Sequence, residues 1–222
     1  MASQISLSPS TKSSSATCHL IFFITGNPGL VSYYDAFLRT LHELLSGSET
    51  SKSNAFHIFG QNLAGFGDND IPLKTAGHPY SLEDQIEDRI RSLKLQRIPS
   101  GPRKGQHFDS IILIGHSLGT YIILEILRRL REASSLLNVK AGILLMPTVV
   151  HLAESPSGVK FSPLFRIPGF PRGVSILAKA LLWPFPGAAL RWVARTVMDM
   201  PEDAANVTTG FLKSRMGIWQ AL

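Results

Sequence analysis

The sequence predicts a three-layer α/β fold, in which a mostly parallel sheet lies between helices. Short apolar runs alternate with amphipathic helical patterns over residues 18–150, which we expect to form one core. The run at 111–114 contains no polar residue, as is typical of a strand covered on both faces. The alternation stops near residue 150. Residues 151–222 are therefore expected to form a basic, aromatic-rich helical cap inserted into the fold and the start of a C-terminal part that this chain lacks.

The elements of the core follow in order from the spacing of apolar residues. Ser81 is a predicted helix N-cap, with Asp84 three residues further on, a pattern close to a capping box. Continuous apolar runs predict strands, and apolar residues three or four apart predict helices. The expected strands are 20–24, 55–59, 109–114 and 139–146, and the expected helices are 33–45, 82–93 and 118–131.

Composition excludes several classes of protein. The 222 residues are 44% hydrophobic and 17% charged, which excludes a disordered chain. The single cysteine, Cys18, excludes a disulfide framework and a multi-cysteine metal site. No grouping of histidines and acids has metal-ligand spacing, so we expect neither metal nor cofactor. Residues 1–17 are rich in serine, lack the pattern of a signal peptide and are predicted to be a disordered tail.

A possible nucleophile lies between the strand at 109–114 and the following helix. The segment 115–119 reads Gly-His-Ser-Leu-Gly and matches the G-x-S-x-G pattern in the strand–turn–helix context of a nucleophile elbow. The two glycines let the chain bend sharply, so that the Ser117 hydroxyl projects above the sheet. The sequence therefore predicts Ser117 as a nucleophile, with an ordinary Gly-Ser turn as the alternative.

An oxyanion hole requires two backbone N–H donors beside this serine. Leu118 follows the nucleophile and offers the first, and Asn27, in the turn after the strand at 20–24, is the expected second. A plain Asn-Pro turn is the alternative for Asn27. Gly26, His116 and His78 are expected to line the substrate pocket. His116 could instead be a packing residue, and His78 a solvated loop residue.

These motifs resemble those of the lipid droplet-associated hydrolase family, within the α/β-hydrolases. The segments that carry the resemblance are 26–29 followed by Tyr33 and Tyr34, then 82–86, 115–119, 146–148 and 154–158. The resemblance implies a serine hydrolase acting on carboxylic esters of lipids or sterols. It also implies residence on lipid droplets and the endoplasmic reticulum, with the cytoplasm as the alternative.

The partners of a catalytic triad are not evident in this sequence. His151 is the one histidine after Ser117, and Glu125 and Glu132 are the acids between them, on the helix that leaves the elbow. The resemblance places the acid and histidine beyond the cap, so we expect the chain to end before them and to be weakly active or inactive. The alternatives are His151 as the base, a non-catalytic droplet-surface protein, and a soluble esterase of small acyl substrates.

The cap carries a charge pattern typical of a phospholipid interface. Residues 155–198 contain six basic residues and no acid, which equals the net charge of +6. A helix pair packed on the active site, with solvated cations, is the alternative. No nucleic-acid module is present, so we expect no such partner, and the oligomeric state stays open. The predicted membrane-interface residues are Arg172, Lys179, Trp183, Arg191, Trp192 and Arg195.

Overall fold

Five strands form one mixed sheet in the computed structural model, which describes residues 2–9, 16–48, 53–67, 79–150, 154–214 and 217–222. The spatial order is β1-β3-β2-β4-β5, with β1 antiparallel to β3 and the other pairs parallel. The strands are β1 (Gln4–Leu7), β2 (Thr17–Ile24), β3 (Asn54–Gln61), β4 (Ser110–His116) and β5 (Val139–Leu145).

Helices cover both faces of this sheet, so the predicted three-layer α/β architecture is confirmed. Side chains of β2 alternate between the faces, because successive residues of a strand point in opposite directions. Phe22 packs in the cluster shared with α2 and α3, and Phe23 packs in the cluster shared with α1. The helices are α1 (Asp35–Gly47), α2 (Leu82–Leu95) and α3 (Leu118–Glu132), and a short 3₁₀ turn covers Val31–Tyr34.

Ser81 caps α2 with the reciprocal bonds of a capping box, so that sequence prediction is confirmed.

The region after β5 is helical, as expected for a cap. The predicted helical stretches of the cap lie within a longer series of five helices. These are α4 (Pro156–Phe165), α5 (Phe170–Leu182), α6 (Gly187–Thr196), α7 (Glu202–Lys213) and α8 (Gly217–Ala221).

The predicted disorder of residues 1–17 is wrong for the segment that forms β1. Gln4–Leu7 pairs antiparallel with β3, and the Asn62 N–H donates to the Ser3 carbonyl at 2.9 Å. Ile5 is buried in the cluster beneath α1, which supplies the burial that a serine-rich composition does not suggest. A single well-placed apolar residue on an antiparallel edge strand therefore outweighs the local composition.

Two histidines each have a buried ring nitrogen without a hydrogen-bond partner in the described part of the chain. They are the buried His57 of β3, at Nδ1, and the half-buried His42 of α1, at Nε2. Burial, with a smaller contribution from His42, lowers the pKa of His57 to about 4. Burial also lowers the pKa of His42. Both groups are therefore neutral in the folded protein at pH 7.

We expect this pair to make folding sensitive to mild acid. Because the pKa of His57 is lower in the folded than in the unfolded state, its contribution is complete above pH 6.5 and is lost as the pH falls towards 4. The loss amounts to about 3 kcal/mol of unfolding free energy. Urea unfolding at several pH values should show that the free energy of unfolding falls less steeply with decreasing pH in His57→Phe than in the parent protein. The exposed control His107→Phe should retain the parent slope, and an unchanged slope in His57→Phe would contradict the assignment.

Candidate active site

Ser117 occupies the sharp turn between β4 and α3. Its backbone has φ 51° and ψ −118°, a positive φ that side-chain-bearing residues rarely adopt. The Ser117 N–H donates to the Leu145 carbonyl at 3.0 Å, at the end of β5. Its carbonyl accepts from the Thr120 N–H at 2.9 Å and from Thr120 Oγ1 at 2.6 Å. The turn is thus held from both sides, with Ser117 at the helix N-terminus.

The two glycines of the motif are required by close packing. A Cβ atom on Gly115 would lie 2.6 Å from the Gly119 carbonyl oxygen. A Cβ atom on Gly119 would overlap the Ile24 carbonyl oxygen and lie 2.7 Å from that of Thr25. Helix α3 therefore begins directly against the end of β2, which is possible only without side chains at both positions.

The loop after β2 approaches the elbow from the other side. A Cβ atom on Gly26 would lie 3.0 Å from both His116 Nδ1 and Ser117 Cβ. Tyr34 Oη joins the loop to the elbow, because it accepts from the Gly26 N–H at 3.2 Å and contacts His116 Nδ1 at 2.9 Å. Burial raises the pKa of Tyr34, so the phenol stays protonated at neutral pH. Tyr34 belongs to one of the family motifs in the sequence, but the motif does not predict this bridging position.

Two backbone N–H groups, one in the loop after β2 and one at the start of α3, have no hydrogen-bond partner in the described part of the chain. The N–H of Gly26 is occupied by Tyr34, and the N–H groups of Asn27 and Leu118 have no partner among the described residues. Leu118 is the first residue of α3, where N–H groups have no intrahelical acceptor and the helix dipole favours negative charge. These two donors are the ones that the sequence predicts for an oxyanion hole.

Neither acid that the sequence offers between Ser117 and His151 contacts the serine. Within the ranges that the structure describes, Ser117 Oγ has no hydrogen-bond partner, and the His116 ring bonds to Tyr34. Glu125 pairs with Arg128, whose guanidinium lowers the pKa of that carboxyl group, and Glu132 also pairs with Arg128. His78 and His151 lie outside the described residues.

Comparison with known proteins places this chain in a family. A model of the lipid-droplet associated hydrolases matches residues 17–222. The chain belongs to that family. Lipid droplet-associated hydrolases from Mus musculus and Rattus norvegicus are 32% and 34% identical to it over 158 residues. These alignments cover 66% of this chain and 42% of each relative, so the chain spans less than half the length of the relatives it matches.

The resemblance drawn from the motifs is thereby confirmed, and this lipid-droplet associated hydrolase family member has the expected α/β-hydrolase fold. Among solved structures, RedJ is similar over 93% of this chain and 63% of its own length. The sequence identity is 18% and the TM-score is 0.47.

The last two helices of the family member contact the loops around Ser117. Asn27 Nδ2 donates to the Ala221 carbonyl at 2.7 Å, which ties the loop after β2 to α8. Tyr33 Oη contacts Thr208 Oγ1 of α7 at 2.8 Å. Gln220 exchanges two hydrogen bonds with the backbone of Tyr80. Helices α7 and α8 therefore cover the carboxyl end of the sheet, a contact that no sequence motif signals.

Helices α5 and α6 place large apolar side chains in solvent. Trp183 is 66% exposed and Trp192 is 63% exposed. The cations among them are partly engaged, since Arg191 bonds Asn206, Arg195 pairs with Glu202, and Arg172 lies 5.8 Å from the Trp219 ring centroid. Among the described helices, none alone has the length and apolarity of a membrane span. α5 and α6, bent by 104°, meet both requirements only as a pair.

Proposed function

We propose that the protein is a serine hydrolase of carboxylic esters of lipids or sterols, working at the surface of lipid droplets or the endoplasmic reticulum. The observation that carries the proposal is the positive φ of Ser117 at the start of α3, and we propose that this turn directs its hydroxyl towards the N–H groups of Asn27 and Leu118. A strained strand-to-helix turn of this kind is used by esterases to present a nucleophile. The names of the relatives supply the lipid-droplet context.

The proposed chemistry is acyl transfer through the serine. The Ser117 oxygen attacks the ester carbonyl carbon, and the carbonyl oxygen becomes an oxyanion that accepts hydrogen bonds from the N–H groups of Asn27 and Leu118. Collapse of this intermediate expels the alcohol and leaves an acyl-serine, which water then hydrolyses. In the first step a base must accept the serine proton and pass it to the departing alcohol, and in the second step it must accept a proton from water and return it to Ser117. No such base contacts Ser117 among the described residues, so we propose that this chain reacts slowly.

The proposal is tested by the hydrolysis of an emulsified ester. Purified chain should release p-nitrophenol from p-nitrophenyl dodecanoate above the buffer rate, and Ser117→Ala should remove that increment. Ser32→Ala, on the turn before α1, is the matched control and should keep it. An increment that survives Ser117→Ala would contradict a serine mechanism.

A non-catalytic role at the droplet surface is the second candidate. It is favoured by the lack of a base beside Ser117 in the described part of the chain, together with the apolar surface of α5 and α6. Both candidates predict binding to the droplet surface, and only the first predicts ester hydrolysis by Ser117. Binding to droplets with no serine-dependent turnover would favour this second candidate.

We propose that the droplet surface is contacted by the exposed aromatic side chains of α5 and α6, together with the cations between them. Tryptophan suits an interface because its ring is apolar and its N–H remains hydrated. The double variant Trp183→Ser and Trp192→Ser should reduce the partition onto vesicles containing phosphatidylserine by tenfold or more, roughly the effect of one buried large side chain. Vesicle flotation measures this partition.

The control for flotation is Leu44→Ser, which removes an apolar side chain that is 69% exposed on α1, away from the cap. Its partition should equal that of the parent protein. Equal flotation of the double tryptophan variant and the parent would contradict an interfacial role for α5 and α6.

A further inference from the structure

A cavity lies at the opposite end of the sheet from Ser117. Its volume is about 450 Å³, within the range of small-molecule sites. Its walls include Leu20 and Ile111, near the starts of β2 and β4, and Leu93, near the end of α2. Ser117 lies six positions after Ile111, a distance of roughly 20 Å along an extended strand. The cavity is therefore separate from the candidate active site.

The wall formed by residues 135–138 is fixed by hydrogen bonds. The Ser135 N–H donates to the Leu130 carbonyl at 3.0 Å, which ties the segment to the end of α3. The Ile111 N–H donates to the Asn138 carbonyl at 2.9 Å, which ties it to β4. Because both ends of the segment are anchored, the cavity exists before any ligand arrives.

Apolar side chains form most of the cavity lining, which includes one cation, Lys94. Leu93 and Leu137 line the inside, and the exposed Lys94 and His107 lie on the rim. The remaining polar residues of the lining are Gln96, Ser135 and Asn138. The Lys94 ammonium group has no ion pair in the described ranges, in contrast to Arg128 and Arg129 of α3, which are both paired with glutamates. A further cation at this end, the exposed Lys140 at the start of β5, also lacks an ion pair there.

We propose that this cavity binds a long-chain fatty carboxylate, with its acyl chain against the leucines and its carboxylate at Lys94 and His107. An apolar interior beside the unpaired Lys94 ammonium group complements a single-chain anion. A neutral ester or sterol leaves this ammonium group unpaired, and a compact phosphate leaves the apolar walls unfilled. The site goes beyond the proposed hydrolysis, because none of its residues takes part in the chemistry at Ser117.

The chain-length dependence of binding tests the acyl part of the proposal. Calorimetric titrations of Ser117→Ala protein with octanoate, decanoate and dodecanoate, each below its micelle concentration, should show one site. The affinity should rise about fourfold per added methylene, the effect of burying one methylene group. Dodecanol should bind at least tenfold more weakly than dodecanoate. Equal affinity for the alcohol, or uptake of many molecules without saturation, would overturn the proposal.

Variants locate the bound carboxylate. Lys94→Met should weaken dodecanoate binding about tenfold, because it removes the charge and keeps most of the side-chain volume. Ser135→Trp should fill the cavity and abolish binding. Lys104→Met, an exposed lysine outside the cavity lining, is the matched control and should bind like the parent. Binding that survives Ser135→Trp in a protein with the parent melting temperature would overturn the proposal.

A photoreactive fatty acid gives a readout that does not depend on any variant folding. Diazirine-labelled dodecanoate should attach to peptides that contain residues 93–96 or 135–138. Attachment at the elbow or the cap instead would overturn the proposal. Because the titrations use Ser117→Ala, a failure of the proposed hydrolase activity leaves their outcome unchanged, and loss of fatty-acid binding leaves the serine chemistry untouched.

Discussion

Gly119→Ala is expected to destabilise the fold by about 3 kcal/mol, the upper part of the range for overpacked cores. The added methyl group would overlap the Ile24 carbonyl oxygen and lie 2.7 Å from the Thr25 carbonyl oxygen. Neither oxygen can move easily, because both belong to the backbone at the end of the central strand β2. Helix α3 must therefore shift away from the sheet, which also displaces Ser117.

Chemical denaturation of Gly119→Ala and of the parent protein measures this loss. Gly173→Ala is the matched control, since a methyl group at that position of α5 meets no atom within 4 Å. Removing a helical glycine there should stabilise the protein by about 0.5–1 kcal/mol. A Gly119→Ala protein as stable as the parent would show that α3 does not begin against β2 as described.

The second large effect concerns the rate of ester hydrolysis. We expect this chain to hydrolyse p-nitrophenyl esters more slowly, by about 10³-fold or more, than a family member whose serine contacts a histidine that is held by an acid. The reason is that Ser117 Oγ contacts no base among the described residues, and an unassisted serine is a weak nucleophile. Hydrogen bonds from the oxyanion donors alone still make hydrolysis faster than the uncatalysed reaction in water. Steady-state turnover of the two proteins on one substrate gives the ratio.

His151→Ala provides the control for this rate comparison, because His151 lies outside the described residues and is the one histidine after Ser117. It should leave the slow turnover unchanged. Turnover at ordinary esterase rates that is lost in both Ser117→Ala and His151→Ala would contradict the expectation and identify His151 as the base.

Much of the core could be predicted because its signals are local. The unbroken apolar run of β4 predicts a strand covered on both faces, and Ser81 with Asp84 predicts the start of α2. The glycines of the elbow predict a tight turn, which the structure contains at Ser117. In each case the residues that determine the structure lie within a few positions of one another.

The remaining features depend on contacts between distant segments. The strand β1 is stable because Ile5 packs in the core beneath α1. The composition of residues 1–17 does not predict this contact. Tyr34 joins the Gly26 loop to His116 across 82 residues of sequence. Arg195 pairs with Glu202, an acid just outside the stretch whose charge predicted free cations. Sequence periodicity predicts helices and strands, but it does not predict which of them contact each other.

The central claim is that Ser117 is the nucleophile of the site, and covalent labelling tests it most directly. Purified chain is incubated with a fluorophosphonate in excess, and the modified residue is located by mass spectrometry. The phosphonyl group should attach to Ser117 alone, slowly, and Ser117→Ala should remain unlabelled. Attachment to another residue, or undiminished labelling of Ser117→Ala, would contradict the claim.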